Sequence, residues 1–308
     1  MTRFTRPSGL RASDEVAIVA PAGPFERETF EAGLRVLRVR YRPVFDQGLF
    51  ARTRYLAGDD TRRLDELTAA LADDSVRAVF AARGGYGSMR LLPGLWPKLR
   101  ASAFRPKPVI GFSDLTALHL ALQAVGWVSV HGPVLTQLGT QSPEAVDRLF
   151  QLLEATGSLA PPLSGTPLVG GVAEGPLLGG NLSVLTRLLG TPYLPPLEGA
   201  ILLLEDVGER PYRLDRLWTH LALAGVFDRV RGIALGEFTD CEEPGGEYTS
   251  AEVLATLAAE IGLPCVGGFP IGHGTVNLPV PLGSRVRLDA GAGTLTFLEP
   301  AVAAGESR

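Results

Sequence analysis

Short apolar segments alternate with amphipathic segments through the first half of the chain. The segments 15–20, 40–45 and 76–82 are predicted to be strands, because each is short and a turn-forming or polar stretch follows it. Segments 26–39 and 59–71 repeat leucine or phenylalanine at helical spacing, which predicts two helices. Strands that alternate with helices in this way are typical of a parallel sheet covered on both faces.

Residues 107–122 read as a strand, a tight turn and a helix, with Ser113 in the turn. A serine in this place projects from the carboxyl end of a strand, and the backbone N–H of Asp114 at the helix start is free to meet an oxyanion. This is the geometry of a nucleophile elbow. The alternative is that Ser113 only caps the helix, a position that serine favours whatever the function.

The glycine-rich segment 83–88 follows the third predicted strand. Because ligands bind at the carboxyl ends of parallel strands, this loop and the turn at Ser113 should share one crevice. Glycines let the backbone present bare N–H groups at close range, so the loop could supply a second oxyanion donor. The segment matches neither a dinucleotide-binding nor a Walker motif. A plain tight turn is the alternative interpretation.

The composition changes within residues 141–173, because Pro and Gly are frequent between 159 and 171. We predict a linker or mobile loop there, between a first domain at 1–140 and a second at 174–308. The second domain is predicted to be mixed α/β. Its predicted strands are 200–205, 230–235, 265–269, 284–288 and 295–298, and its predicted helices are 214–224 and 250–261.

The composition, 45% apolar and 20% charged over 308 residues, is that of an ordinary soluble globular protein. A formal net charge of −4 without a basic run argues against nucleic acid or an anionic membrane as the main partner. No apolar run has the length of a signal peptide or a membrane span, so a cytoplasmic location is expected. Cys241 and Cys265 are expected to be reduced, buried thiols.

Four histidines are candidates for a catalytic base. They are His119, His131, His220 and His273. His273 lies between two glycines, which removes packing reasons for an imidazole and leaves it accessible. His119 is expected on a helix face and His220 partly buried in a helix. His131 ends a strand and could line the crevice or simply pack.

Glu205 is the best candidate to orient that base. It closes the apolar run 201–204, where an unpartnered carboxylate would cost several kcal/mol to desolvate. A buried ion pair with Arg210, Arg213 or Arg216 is the alternative, and Asp206 could compete for the role. A Ser–His–Glu set follows the logic of a catalytic triad, in which the carboxylate holds the imidazole that accepts the serine proton.

These segments together resemble the LD-carboxypeptidase family, which includes muramoyl-tetrapeptide carboxypeptidases and microcin C self-immunity peptidases. The resemblance spans roughly residues 14–290. The motifs that carry it are Tyr55-Leu-Ala-Gly58, Ala82-Arg-Gly-Gly-Tyr-Gly87, Ile110-Gly-Phe-Ser-Asp-Leu-Thr-Ala-Leu118, His131-Gly-Pro133, Gly179-Gly-Asn181, Leu204-Glu-Asp-Val-Gly-Glu-Arg-Pro-Tyr-Arg-Leu-Asp215 and Gly272-His-Gly274.

The resemblance implies a metal-free serine peptidase without a cofactor and with the triad Ser113, Glu205 and His273. The oxyanion donors would be the backbone N–H groups of Asp114 and Gly85. The implied fold is a Rossmann-like first domain followed by a smaller, barrel-like α/β domain, and the implied assembly is a homodimer.

The implied substrate is a small peptide, the murein tetrapeptide, from which the enzyme removes a terminal D-alanine. Arg83 is our candidate for binding the free carboxylate of that residue, and Ser88 or Asn181 is equally arguable. Within the family, the alternative is an immunity peptidase that cleaves an aminoacyl-nucleotide conjugate. Residues 154–178 contain no aromatic ring to stack on a base, which favours the murein substrate.

Two other classes remain open from the sequence. A binding protein on the same scaffold would carry no chemistry, because fold does not fix function. An α/β-hydrolase esterase is disfavoured because Leu115 stands where that motif requires its second glycine.

Overall fold

The computed structural model describes residues 4–154 and 159–303. The strands are β1 Glu15–Val19, β2 Arg42–Val44, β3 Val76–Ala81, β4 Val109–Gly111, β5 Ser129–His131, β6 Leu163–Ser164, β7 Thr166–Val169, β8 Val172–Asn181, β9 Ile201–Val207, β10 Gly232–Thr239, β11 Cys265–Gly267, β12 Val280–Leu282, β13 Arg285–Asp289 and β14 Thr294–Phe297. The α-helices are α1 Arg27–Leu37, α2 Asp60–Ala72, α3 Ser88–Arg100, α4 Thr116–Ala124, α5 Leu135–Leu138, α6 Pro143–Glu154, α7 Leu182–Thr186, α8 Pro211–Leu223 and α9 Ser250–Ile261. Short 3-10 helices span Gln47–Phe50 and Ser113–Leu115.

The first sheet has six strands in the order β12-β5-β4-β3-β1-β2. Strands β1 to β5 are parallel, and only β12 runs antiparallel, beside β5. The predicted parallel sheet is confirmed. Helix α1 buries one apolar stripe, made of Phe30, Leu34 and Leu37, whereas α4 is buried on all sides. The carboxyl ends of β3 and β4 lie side by side, which places the loops that follow them next to each other.

The second sheet has eight strands in the order β6-β14-β13-β8-β9-β10-β11-β7. Its centre, β8 to β11, is parallel, and the outer pairings are antiparallel. The two edge strands β6 and β7 are consecutive in the chain and separated only by Gly165. The sheet therefore curls until its edges meet and forms the nearly closed, barrel-like second unit that was predicted.

The stretch predicted to be a linker, 141–173, contains regular structure. Helix α6 buries Leu149, Leu152 and Leu153 at helical spacing, and β6 and β7 close the barrel. Edge strands tolerate Pro and Gly because their outer backbone groups need no partner, so a Pro- and Gly-rich composition did not exclude strands here. Residues 155–158, where part of the predicted mobile loop falls, lie outside the described residues.

The two units share elements and surfaces. Strand β12 comes from the C-terminal half of the chain but joins the first sheet through Val280, which pairs with His131. On the other side of the site, the Thr116 hydroxyl at the start of α4 accepts a 2.9 Å hydrogen bond from the backbone N–H of Asn181 at the end of β8. These connections place the turn at Ser113 against the carboxyl ends of β8 and β9. Among the described residues, no helix combines the length and the apolar character needed to cross a membrane.

Candidate active site

Ser113 lies in the sharp turn between β4 and α4. Its φ of 62° is in the left-handed region, which a non-glycine residue adopts only at a local cost of about 1–3 kcal/mol. The residue that caps the short helix at 113–115 is Phe112, and no side chain caps it. Ser113 is therefore not the cap that the alternative interpretation assigned to it, and its hydroxyl is directed elsewhere.

His119 is hydrogen-bonded to the end of the strand that leads into this turn. The imidazole is fully buried, and burial lowers its pKa to about 3, so the ring is neutral. Its Nε2–H donates a 2.8 Å hydrogen bond to the carbonyl of Gly111, and its Nδ1 accepts one of 2.9 Å from the Ser129 hydroxyl. His119 thus fixes the last residue of β4, two positions before Ser113. It was expected on a helix face, and the contact with β4 and β5 explains why that face is buried.

The glycine-rich loop packs directly on the turn, as the sequence predicted. A Cβ on Gly84 would lie 3.1 Å from Ser113 Cβ and 3.3 Å from its Oγ. Gly85 is exposed and has a φ of 105°. The Asp114 carboxylate ties the two loops together by accepting a 2.8 Å hydrogen bond from the backbone N–H of Ser88. The backbone N–H of Asp114 belongs to the first helical turn, where no preceding helical carbonyl can accept it.

Replacing Gly84 by alanine is expected to displace Ser113 by a few tenths of an ångström and to lower kcat/KM by about tenfold to a hundredfold. The added methyl has no free space, since both Ser113 atoms are already at close range. The matched control is Gly170→Ala, where nothing lies within 4 Å of the added atom. Steady-state kinetics of both variants, with the substrate that the family resemblance implies, check this, and an unchanged Gly84→Ala variant would contradict the packing.

His273 and Glu205 come from distant parts of the chain and meet at Ser113. The Ser113 hydroxyl donates a 3.0 Å hydrogen bond to His273 Nε2, and His273 Nδ1–H donates one of 2.7 Å to Glu205 Oε2. Glu205 is fully buried near the end of β9, whereas His273 is only half-buried. Gly272 has a φ of 122°, and a Cβ there would lie 2.8 Å from Glu205 Oε2. Because glycine has no Cβ, the loop can approach Glu205 closely enough for His273 to contact the carboxylate.

In the part of the chain that the structure describes, Glu205 does not form the ion pair with arginine that was the alternative. Arg210 pairs with Glu243 and Arg213 with Glu209, each at 3.6 Å. The adjacent Asp206 is also engaged elsewhere, since it accepts a 3.0 Å hydrogen bond from Asn181 Nδ2.

A second histidine faces the other oxygen of Glu205. His131 is fully buried, and its Nε2 lies 3.8 Å from Glu205 Oε1. In the described part of the chain, neither that oxygen nor the His131 ring nitrogens have a hydrogen-bond partner. The structure thus brings His131, for which the sequence left open a place in the crevice or a packing role, against the carboxylate. No local signal marks this contact, because it depends on the pairing of β5 with β4 and β12.

The environment of Glu205 favours its ionised form. Burial raises the pKa of the carboxyl, but interactions with His131 and His273 outweigh burial and lower it from 4.5 to about 2. At 3.8 Å the His131 contact is too long for a hydrogen bond, so we regard the 2.7 Å bond from His273 as the stronger of the two. An ionised Glu205 can stabilise an imidazolium and hold one tautomer of His273.

The lowered pKa of Glu205 has a consequence for stability. A carboxyl with a depressed pKa stabilises the fold above its unfolded value of 4.5, and this contribution is lost as the pH falls toward about 2. Between about pH 5 and about pH 3, the free energy of unfolding of the wild type should fall by about 2 kcal/mol more than that of Glu205→Gln. Urea denaturation at each pH measures the free energy of unfolding of both proteins. If the two free energies fell equally with pH, the lowered pKa of Glu205 would be contradicted.

The three candidate substrate residues lie in different environments. Arg83 is exposed beside the glycine-rich loop, and its guanidinium donates to the carbonyl of Pro24. Ser88 is fully buried, which favours a structural role for it. Asn181 is also buried, and its Oδ1 accepts a 3.0 Å hydrogen bond from the backbone N–H of Val184 at the start of α7.

Two further expectations can be compared with the structure. His220, expected to be partly buried, is exposed on α8. Cys241 and Cys265 are free and buried, as predicted, and burial raises the pKa of both thiols. Within residues 4–154 and 159–303, no group of three or more His, Cys, Asp or Glu side chains is arranged to hold a metal ion.

Comparison with known proteins covers both halves of the chain. Residues 16–132 match the LD-carboxypeptidase N-terminal domain, and residues 174–288 match the LD-carboxypeptidase C-terminal domain. A putative carboxypeptidase of Synechocystis sp. is 41% identical over 300 residues, which cover 96% of this chain and 98% of the relative. The murein tetrapeptide carboxypeptidase of Pseudomonas aeruginosa is 38% identical over 290 residues, covering 89% of this chain and 92% of that protein.

Solved structures agree with these matches. The crystal structure of muramoyltetrapeptide carboxypeptidase from Oxalobacter formigenes superposes with a TM-score of 0.82 at 29% identity, covering 92% of this chain and 97% of that one. The microcin C7 self-immunity protein MccF, in complex with aspartyl sulfamoyl adenosine, has a TM-score of 0.82 at 23% identity, over 97% of this chain and all of that one, and shows the shared fold. On both domain matches and these relatives, the chain belongs to the LD-carboxypeptidase family.

Proposed function

We propose that this protein is a serine LD-carboxypeptidase that removes the terminal D-alanine from murein tetrapeptides. The observation that carries the proposal is the hydrogen-bonded series Ser113, His273 and Glu205, with distances of 3.0 and 2.7 Å. Residues separated by 160 and 68 positions in the sequence meet here in the order of nucleophile, base and orienting acid.

In the proposed reaction, the Ser113 hydroxyl attacks the carbonyl carbon that precedes the terminal D-alanine, while His273 takes the hydroxyl proton. The tetrahedral oxyanion is stabilised by the backbone N–H groups of Asp114 and Gly85. His273 then gives its proton to the leaving amine, the C–N bond breaks, and an acyl ester remains on Ser113. Water, deprotonated by His273, hydrolyses that ester and restores the serine. Glu205 stays ionised throughout.

An exopeptidase also has to bind the carboxylate of the residue that it removes. Of the three candidates, we retain Arg83, because it is exposed and directly precedes the glycine pair that faces Ser113. A guanidinium can bind a carboxylate through two parallel hydrogen bonds. Ser88 and Asn181 are better assigned to holding the loops, in view of their burial.

The names of the relatives support the murein substrate. One relative is a murein tetrapeptide carboxypeptidase, and the Oxalobacter formigenes protein is a muramoyltetrapeptide carboxypeptidase. The microcin-type alternative rests on structures at 22–24% identity, which share the fold alone. Residues 159–178, which form β6, β7 and part of β8, offer no aromatic side chain for a nucleobase.

Mass spectrometry of the products tests the proposal. Purified protein is incubated, with EDTA present, with a murein tetrapeptide and separately with an aspartyl-sulfamoyl-adenosine conjugate. Loss of one D-alanine from the tetrapeptide is the expected result. Cleavage of the conjugate alone would overturn the murein substrate, and turnover of neither would overturn the proposed activity.

A further inference from the structure

An acidic residue next to the triad has no part in the proposed mechanism. Glu237 lies near the carboxyl end of β10, which pairs in parallel with the strand that carries Glu205. The pairing shifts between Leu235 and Phe238, so Glu237 falls on an irregular part of the strand. Its backbone N–H donates a 2.9 Å hydrogen bond to the carbonyl of Ile271. Glu237 is therefore anchored to the loop that carries His273.

The carboxylate of Glu237 lies over this loop. A Cβ on Gly274, the residue directly after His273, would overlap Glu237 Oε2. Glycine at 274 thus leaves the space that the carboxylate occupies. The arrangement places a negative charge one residue from the proposed base, on the side of the loop where β10 ends.

The Glu237 charge has no partner among the described residues. Within residues 4–154 and 159–303, its carboxylate makes neither a hydrogen bond to a side chain nor an ion pair, and partial burial raises its pKa. Three neighbouring acids are engaged elsewhere. Glu209 and Glu243 pair with arginines, and Glu242 accepts a 2.8 Å hydrogen bond from the Ser250 hydroxyl at the start of α9. A half-buried carboxylate without a protein partner is compensated only by water or by a cation from outside the chain, and a cation that displaces this water gains a charge-assisted hydrogen bond.

A cavity of about 480 Å³ adjoins Glu237. Its walls come from β7, β10, β11 and α9 and are mostly apolar, with Leu168, Leu235, Phe238 and Leu254 among the lining residues. Apolar walls with one carboxylate complement a side chain that has a methylene stem and a cationic head, since such side chains bury the stem and keep the charge paired. Glu242 shares the cavity but is already bonded, so of the two carboxylates among the described lining residues Glu237 is the free one.

We propose that Glu237 binds the side-chain ammonium group of the diamino acid that precedes the terminal D-alanine. The inference rests on the proposed function, because it concerns the acyl side of the same scissile bond. The methylene stem of the diamino acid would lie along the apolar wall, and its ammonium group would donate hydrogen bonds to the Glu237 carboxylate. Glu237 would then select peptides with a free amine at this position and take no part in the proton transfers.

Binding measurements test this without turnover. Ser113→Ala protein and a Ser113→Ala/Glu237→Gln double variant are titrated by calorimetry with two tetrapeptides, one ending in L-lysyl-D-alanine and one carrying Nε-acetyl-lysine. The single variant should bind the free-amine peptide about tenfold more tightly than the acetylated one. The double variant should lose this preference and bind the acetylated peptide as before. The matched control, Ser113→Ala/Glu242→Gln, should retain the preference.

The outcomes separate this inference from the proposed function. A double variant that keeps the preference for the free amine would overturn the role of Glu237, as would a failure of the single variant to bind or to distinguish the two peptides. The activity itself is tested independently by D-alanine release from protein that retains Ser113. Selective binding without such release would support the ammonium site and contradict the hydrolytic function.

Discussion

Replacing Ser113 by alanine is expected to lower kcat for D-alanine release by about 10⁴- to 10⁶-fold, because the acyl-enzyme can no longer form. Substrate binding should survive, since the Ser113 hydroxyl is hydrogen-bonded to His273 and the rest of the crevice is unchanged. The measurement is steady-state release of D-alanine, together with calorimetric binding of the tetrapeptide.

A second variant separates the loss of catalysis from any change in stability. Ser113 has a φ of 62°, which glycine adopts without strain, so Ser113→Gly should be as inactive as Ser113→Ala but more stable by about 1 kcal/mol. Thermal or urea unfolding of both variants checks this order. Activity in either variant within tenfold of the wild type would exclude Ser113 as the nucleophile.

Replacing Glu205 by glutamine should lower kcat by about 10⁴-fold, the scale seen when the acid of a serine triad becomes an amide. The carboxylate accepts the 2.7 Å hydrogen bond from His273 Nδ1 and stabilises the imidazolium. A glutamine can present its NH₂ group to His273 instead, which selects the wrong tautomer for accepting the Ser113 proton. Values of kcat for D-alanine release, with KM as a separate readout, measure the effect.

The adjacent acid provides the matched control for this prediction. Asp206 is also buried, but it accepts hydrogen bonds from Asn181 and from the backbone N–H of Ser183, and it makes none to His273. Asp206→Asn should therefore reduce stability while kcat changes by less than about tenfold. The reverse pattern, a large loss in Asp206→Asn and a small one in Glu205→Gln, would assign the orienting role to Asp206.

The part of the site built from local sequence could be predicted. The strand, turn and helix around Ser113 and the glycine-rich loop at 83–88 follow two neighbouring parallel strands, so their meeting follows from the strand order alone. His273 and Glu205 were recognisable by their surroundings, one by its flanking glycines and the other by the apolar run before it. Their placement at Ser113 required the resemblance to a family, because residues so far apart in sequence carry no local signal of contact.

Features that depend on long-range pairing were missed. The sequence of residues 163–169 resembles a linker, because short edge strands need few apolar residues. Only the pairing of β6 with β14 and of β7 with β11 identifies this segment as two strands. Strand β12 pairs with β5 across the boundary between the two units. That pairing helps to bury His131 opposite Glu205, so the histidine could not be distinguished from an ordinary core residue.

The unpaired state of Glu237 could not be predicted from sequence either. Arginines are frequent in this chain, and any of them could have neutralised an acid on β10. Only the three-dimensional arrangement shows that Arg210 and Arg213 are bound to other acids and that Gly274 makes room for the Glu237 carboxylate. A free charge is a property of its whole surroundings, and a residue pattern describes only neighbours along the chain.

Detection of the acyl-enzyme tests the central claim most directly. A tetrapeptide analogue with D-lactate in place of the terminal D-alanine has a better leaving group, which favours accumulation of the acyl ester on the nucleophile. After acid quenching and proteolysis, mass spectrometry should find a tripeptidyl adduct on the fragment that contains Ser113, and none in Ser113→Ala protein. An adduct on another residue, or undiminished turnover of the analogue by Ser113→Ala, would contradict the assignment of Ser113 as the nucleophile.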